Sequence, residues 1–185
     1  MLSACLPIST VLLSFSASAA DYTIASSKPP DADQNMYSTL RELLDNVTPS
    51  DGDTLILHND DSSLTKGLNA PVNIVSSDME ALRTVDLAGL ANAPLFTLST
   101  GIHTMNMDSV IFANAQERVF DMTGGELALE IDGDHVRFEH NHNNGEIKNH
   151  PTQPYVGSLR WSFGGAVYLQ GENTALQMQH DVSLR

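Results

Sequence analysis

The sequence is short of cysteine, of cations and of aromatic rings. Its 185 residues include one cysteine, Cys5, nine Lys and Arg against 23 Asp and Glu, and 6% aromatics. A single cysteine excludes an intramolecular disulfide, so stability must come from packing and backbone pairing. The formal charge of −14 leaves no basic patch to displace counterions from a phosphate backbone. Nucleic acid is therefore not expected as a partner, and anionic lipid is disfavoured on the same ground. With few aromatics, burial must rest on Leu, Val, Ile, Met and Ala in one domain large enough for a real core. Neither G-x-S-x-G nor H-E-x-x-H occurs, so the common signatures of serine hydrolases and zinc proteases are missing.

What is present starts with a leader. The stretch PISTVLLSFSASAADY has no charged residue before Asp21. An apolar segment around Ile8 to Phe15 runs into Ala17-Ser18-Ala19, an A-x-A cleavage pattern. The segment is too short to span a bilayer. Residues 1–20 are therefore expected to be a signal peptide cut near Ala19 or Ala20, although no Lys or Arg precedes the apolar segment. Removing it would also remove Cys5.

Residues 21–35, containing SSKPPDAD, have the composition of a linker. Met36, Leu40, Leu43, Leu44 and Val47 then share one helical face, which predicts an amphipathic helix over 36–48 with Ser38 as its cap. From Thr54 onward the period changes. TLILH, VNIV, LFTL, TMNM, VIF, RVFDM, LALEI, VRF, AVYL and ALQM are brief apolar or alternating runs bounded by Gly, Asn, Asp, Ser or Pro. This predicts an all-β body over 54–185. A sandwich, a barrel and a solenoid all fit such runs.

Self-similarity favours the solenoid. LFTLSTGIHTMNMDSVIFAN (95–114) aligns with VFDMTGGELALEIDGDHVRFEHN (119–141), placing Phe96 with Phe120 and Phe112 with Phe138. A third copy begins at Val167. The period is about 24 residues, within the range of repeat architectures. The expected fold is a right-handed parallel β-helix, a pectin-lyase-like solenoid. Apolar ladders fill its interior, and the helix at 36–48 caps one end. The sequence stops at HDVSLR, where earlier copies continue to Phe and Asn, so a longer protein is expected.

Two tetrapeptides now carry a family resemblance. Phe138-Glu139-His140-Asn141 fits F-x-x-N, and Gly164-Gly165-Ala166-Val167 fits G-G-A-[ILV]. The pair resembles the repeats of the polymorphic outer-membrane proteins, autotransporters whose β-helical passenger works at the cell surface. TLREL followed by DGDTLIL is similar to the opening of many extracellular bacterial β-helix proteins. The resemblance covers roughly residues 38–185. It implies an exported, non-enzymatic surface or secreted protein acting in adhesion, with a host-surface protein or carbohydrate as partner. It also implies a barrel or anchor in further C-terminal sequence. Two departures stand out: Phe112-Ala113-Asn114 is one residue short of F-x-x-N, and G-G-A-V occurs once. In this reading Phe138 joins an aromatic ladder and Asn141 turns left-handed and bonds adjacent backbone. Gly164 and Gly165 permit a close approach before the next strand.

The candidate sites are few. His140 and His142 share a face of an extended segment, with Glu139 or Glu146 and His135 or His150 as further donors, a pattern that could chelate Zn or Cu. A polar turn explains the same residues with fewer assumptions, so neither metal nor cofactor is expected. Asp51-Gly52-Asp53 and Asp132-Gly133-Asp134 read as turns rather than calcium loops. Residues 143–163 interrupt the repeat and carry Tyr155, Arg160 and Trp161, residue types favoured at binding hot spots. This excursion is the candidate partner contact, and no catalytic residues are expected. A carbohydrate-active β-helix enzyme, a polysaccharide lyase or glycosidase fragment, is the alternative, since carboxylates are plentiful.

Overall fold

A computed structural model describes residues 18–27, 30–91, 93–123, 126–131, 136–141, 167–170, 175–178 and 182–184. The chain is all-β with parallel sheets and little helix. Strands β1 (Asp21–Ile24) and β2 (Met36–Tyr37) precede helix α1 (Leu40–Asn46). Then come β3 (Thr54–Leu57), β4 (Asn73–Ser76), β5 (Arg83–Asp86), β6 (Phe96–Leu98), β7 (Ile102–Asp108) and β8 (Val110–Ala113). The series continues with β9 (Phe120–Thr123), β10 (Glu126–Ile131), β11 (Val136–Glu139), β12 (Val167–Gln170), β13 (Ala175–Met178) and β14 (Val182–Leu184).

Three sheets collect these strands. The first has the order β13-β10-β7-β4-β3-β1-β2, the second β14-β11-β8-β5 and the third β12-β9-β6. Every strand-to-strand pairing within them is parallel. From β6 onward the chain visits third, first and second sheet in rotation, and from β7 onward each strand pairs with the strand three before it. We call one such passage a circuit. Single parallel bridges, Asp61 to Val85 and Leu68 to Phe96, extend the second and third sheets back toward β3.

Register decides what is buried. Because side chains alternate across a strand, parallel pairing without slippage stacks like on like. In the first sheet Tyr22, Leu55, Ile74 and Met107 form a buried column. In the second, Val85, Phe112 and Phe138 form another, beside Val110 and Val136. In the third, Phe96 pairs with Phe120 and Leu98 with Met122. The Phe96 and Phe120 rings stack with centroids 5.0 Å apart, and those of Phe112 and Phe138 at 5.5 Å. Phe120 meets Phe138 edge-on at 6.0 Å, which joins the two ladders inside the molecule. Both expected alignments, Phe96 with Phe120 and Phe112 with Phe138, are thus strand pairs.

The N-terminal part departs from expectation in three respects. Residues 21–24, expected within a linker, form β1, inserted between β2 and β3. DYTI alternates, so Tyr22 and Ile24 turn inward while Asp21 stays exposed. The helix covers Leu40–Asn46 rather than 36–48, because Met36 and Tyr37 pair with β1 and hold the chain extended. Thr39, not Ser38, is the cap: its Oγ1 accepts from the Glu42 N–H at 3.1 Å. The Ser38 N–H donates to Glu42 Oε2 at 2.8 Å. Asp61 Oδ2 accepts from the Leu40 N–H at 2.9 Å and Ser63 Oγ from the Arg41 N–H at 3.1 Å, so the first turn has no orphan donor. Leu40, Leu43 and Leu44 are buried against the core. Among the described residues no helix is long and apolar enough to cross a membrane.

Candidate functional site: the corner after β11

The F-x-x-N residues meet at the end of β11. Phe138 is buried in its ladder, and two residues further on His140 adopts φ 54°. That left-handed residue swings the chain so that Asn141 points back at the preceding circuit. Asn141 is 3% exposed. Its Oδ1 accepts from the Ala115 N–H at 2.8 Å, and its Nδ2 donates to the Phe112 carbonyl at 3.0 Å. One side chain thereby satisfies a donor and an acceptor that the turn would otherwise bury unpaired.

F-x-x-N predicts the left-handed conformation at Asn141. The structure gives it to His140, while the expected bonding of Asn141 to adjacent backbone is present. The apparent defect in Phe112-Ala113-Asn114 also resolves. Glu139 pairs with Ala113, so Asn114 occupies the place of His140 and shares its conformation at φ 60°. Its Nδ2 donates to Asp86 Oδ1 at 3.2 Å. The place of Asn141 falls to Ala115, whose N–H the Asn141 side chain takes. Both circuits thus place a polar residue, Asn114 or His140, at the left-handed position, followed by Ala115 or Asn141.

The corner launches the candidate contact segment. Residues 114–119 suffice to join β8 to β9, whereas residues 140–166 join β11 to β12, between the same two sheets. Gly164, Gly165, Tyr155, Arg160 and Trp161 lie outside the described residues, as do His135, His142, Glu146 and His150. His140 itself is exposed and Glu139 half-buried. Near the corner Arg137 lies 3.8 Å from Glu139. On the connection from β8 to β9, Arg118 pairs with Asp121 at 2.9 Å and Glu117 at 3.9 Å.

Composition hid two buried carboxylates in the N-terminal part of the chain. Asp61 is 6% exposed and holds the start of α1, and Asp53 is 4% exposed. Asp53 Oδ1 accepts from the Ala20 N–H at 2.8 Å and Oδ2 from the Ser50 N–H at 2.7 Å. Gly52 makes this turn at φ 83°, the left-handed region that favours glycine. The Asp53 carboxylate is thus occupied with backbone, in agreement with the turn reading of Asp51-Gly52-Asp53. Burial, then the Asp53 charge, then the nearby Tyr37 push the Tyr22 phenol above its ordinary value. Among the described residues no three His, Cys, Asp or Glu side chains gather closely enough to hold a metal ion.

Comparison of the chain with protein-family models, with curated proteins and with solved structures finds no match.

Proposed function

We propose that the chain is an exported right-handed parallel β-helix of the autotransporter-passenger kind, resembling the polymorphic outer-membrane proteins and serving adhesion. The observation that carries this reading is the rotation of successive strands through three parallel sheets with Phe on Phe in register. A chain that repeats one circuit builds a rigid rod, and a rod holds its loops away from the surface that anchors it. The second support is the Asn141 corner, where the F-x-x-N motif acts as a clasp between circuits. On this view α1 covers the first circuit, where open strand edges would otherwise invite pairing with other chains. The A-x-A leader and the acidity suit an exported, soluble surface. Residues 143–163, with Tyr155, Arg160 and Trp161, are the contact, directed at a host-surface protein or carbohydrate.

The purified chain and a variant lacking residues 143–163 are applied to an immobilised glycan array and to epithelial cell monolayers. Saturable binding by the complete chain, lost in the deletion while the circular dichroism stays unchanged, supports the reading. Undiminished binding by the deletion variant would move the contact elsewhere, and release of sugar fragments from polysaccharide would favour the lyase or glycosidase alternative.

A further inference from the structure

Asp53 is a buried carboxylate that, among the described residues, forms no ion pair with Lys, Arg or His. Both its oxygens are turned onto backbone N–H groups. Leaving a charge in such a place without a counter-charge is costly, because neutral donors replace only part of the lost hydration. One of those donors is the N–H of Ala20, the residue after Ala17-Ser18-Ala19. Ser18 and Ala19 are exposed, whereas Ala20 is half-buried and packs on the core. Its carbonyl accepts from the Thr54 N–H at 2.8 Å, fixing it as the residue that leads into β1. Ala20, the first residue after the A-x-A pattern, is thus tied to the sheet at both its N–H and its carbonyl.

We propose that Ala19–Ala20 is the processed bond, and that the new α-ammonium of Ala20 forms a partly buried ion pair with Asp53. This deepens the export reading and rests on it. In the cut, a signal peptidase adds water across the peptide bond. The hydroxyl goes to the Ala19 carbonyl carbon and a proton to the Ala20 nitrogen, which takes a second proton from solvent to become an ammonium. No atom of the folded domain has to move, because the nitrogen already lies 2.8 Å from Asp53 Oδ1. Processing converts a hydrogen bond in which only the acceptor is charged into one in which both partners are charged, and supplies the missing cation. The mature domain is therefore more stable than its precursor, and a chain cut one residue to either side loses the effect.

The test uses the complete 185-residue chain expressed in a bacterium with a general export pathway. Mass spectrometry of the recovered protein is expected to show Ala20 as the first residue. Acetylating that α-amine should lower the thermal midpoint by at least about 4 °C, and retaining Ala19 as the first residue should do the same. In Asp53→Asn the acetylation effect should largely vanish, while exposed Asp51→Asn should keep it. Should Asp53→Asn fail to fold, the acetylated, Ala19-started and Asp51→Asn proteins still decide the matter. An intact Met1 would overturn the export reading and this proposal with it. A cut at another bond would overturn the proposal and leave export standing. A cut at Ala19–Ala20 with a midpoint indifferent to acetylation would overturn the ion pair alone.

Discussion

At the residue scale, Asn141 shows how one side chain can hold two circuits together. Its carboxamide presents an acceptor and a donor in a fixed plane, and the Ala115 N–H and the Phe112 carbonyl lie where both are used. Asn141→Ala leaves those backbone groups buried and unpaired. The expected loss in stability is about 1–3 kcal/mol, read as a lower urea midpoint. Asn141→Asp should lose the bond to the Phe112 carbonyl and keep that to Ala115. Tyr22 gives a prediction in pH. Its phenol is raised above the ordinary 10.0 by burial first and the Asp53 charge second, so the native state resists its ionisation. The unfolded chain releases that proton first. Stability from this group is therefore fully present below about pH 10 and declines as pH rises through the native value. Tyr22→Phe should flatten that alkaline decline in thermal melts between pH 9 and 11, and an unchanged slope would assign it to other groups.

At the scale of single elements, α1 is shorter than its apolar pattern suggested because pairing took precedence over periodicity. Met36 falls at helical spacing with Leu40, yet the β1 edge offered Met36 and Tyr37 backbone partners that a helix end could not. Helix propensity is a weak prior against such tertiary pairing. Thr39 then became the cap, and Thr39→Ala should cost roughly 0.5–2 kcal/mol, read as a lower urea midpoint. The runs from TLIL to ALQM were legible as strands because each alternates and ends at a turn residue. β1 was less so, since DYTI has two inward residues and is soon followed by prolines. β5, RTVD, was hidden for a similar reason: Val85 is its lone aliphatic inward residue, with Arg83 at the other inward position.

At the scale of the whole molecule, register was legible from four phenylalanines. Phe is scarce here, so its recurrence with Gly and Asn at matched places carried more information than any aliphatic run. The Asn141 corner was partly legible. F-x-x-N marked the right residues, but which of them turned left-handed depended on the backbone path. The buried carboxylates were not legible, because nothing in DGD or NDDSS distinguishes an Asp that holds backbone from one facing water. The two ladders meet through Phe120 and Phe138, so a disturbance in one sheet should be felt in another. The account depends on these circuits lying parallel and in step. Nuclear Overhauser contacts in the isotopically labelled protein test this most directly. Ring contacts of Phe96 with Phe120 and Phe112 with Phe138, accompanied by the parallel-strand backbone pattern, are the predicted result. Strong Hα–Hα contacts between β6 and β9 or between β8 and β11, the mark of antiparallel neighbours, would contradict it.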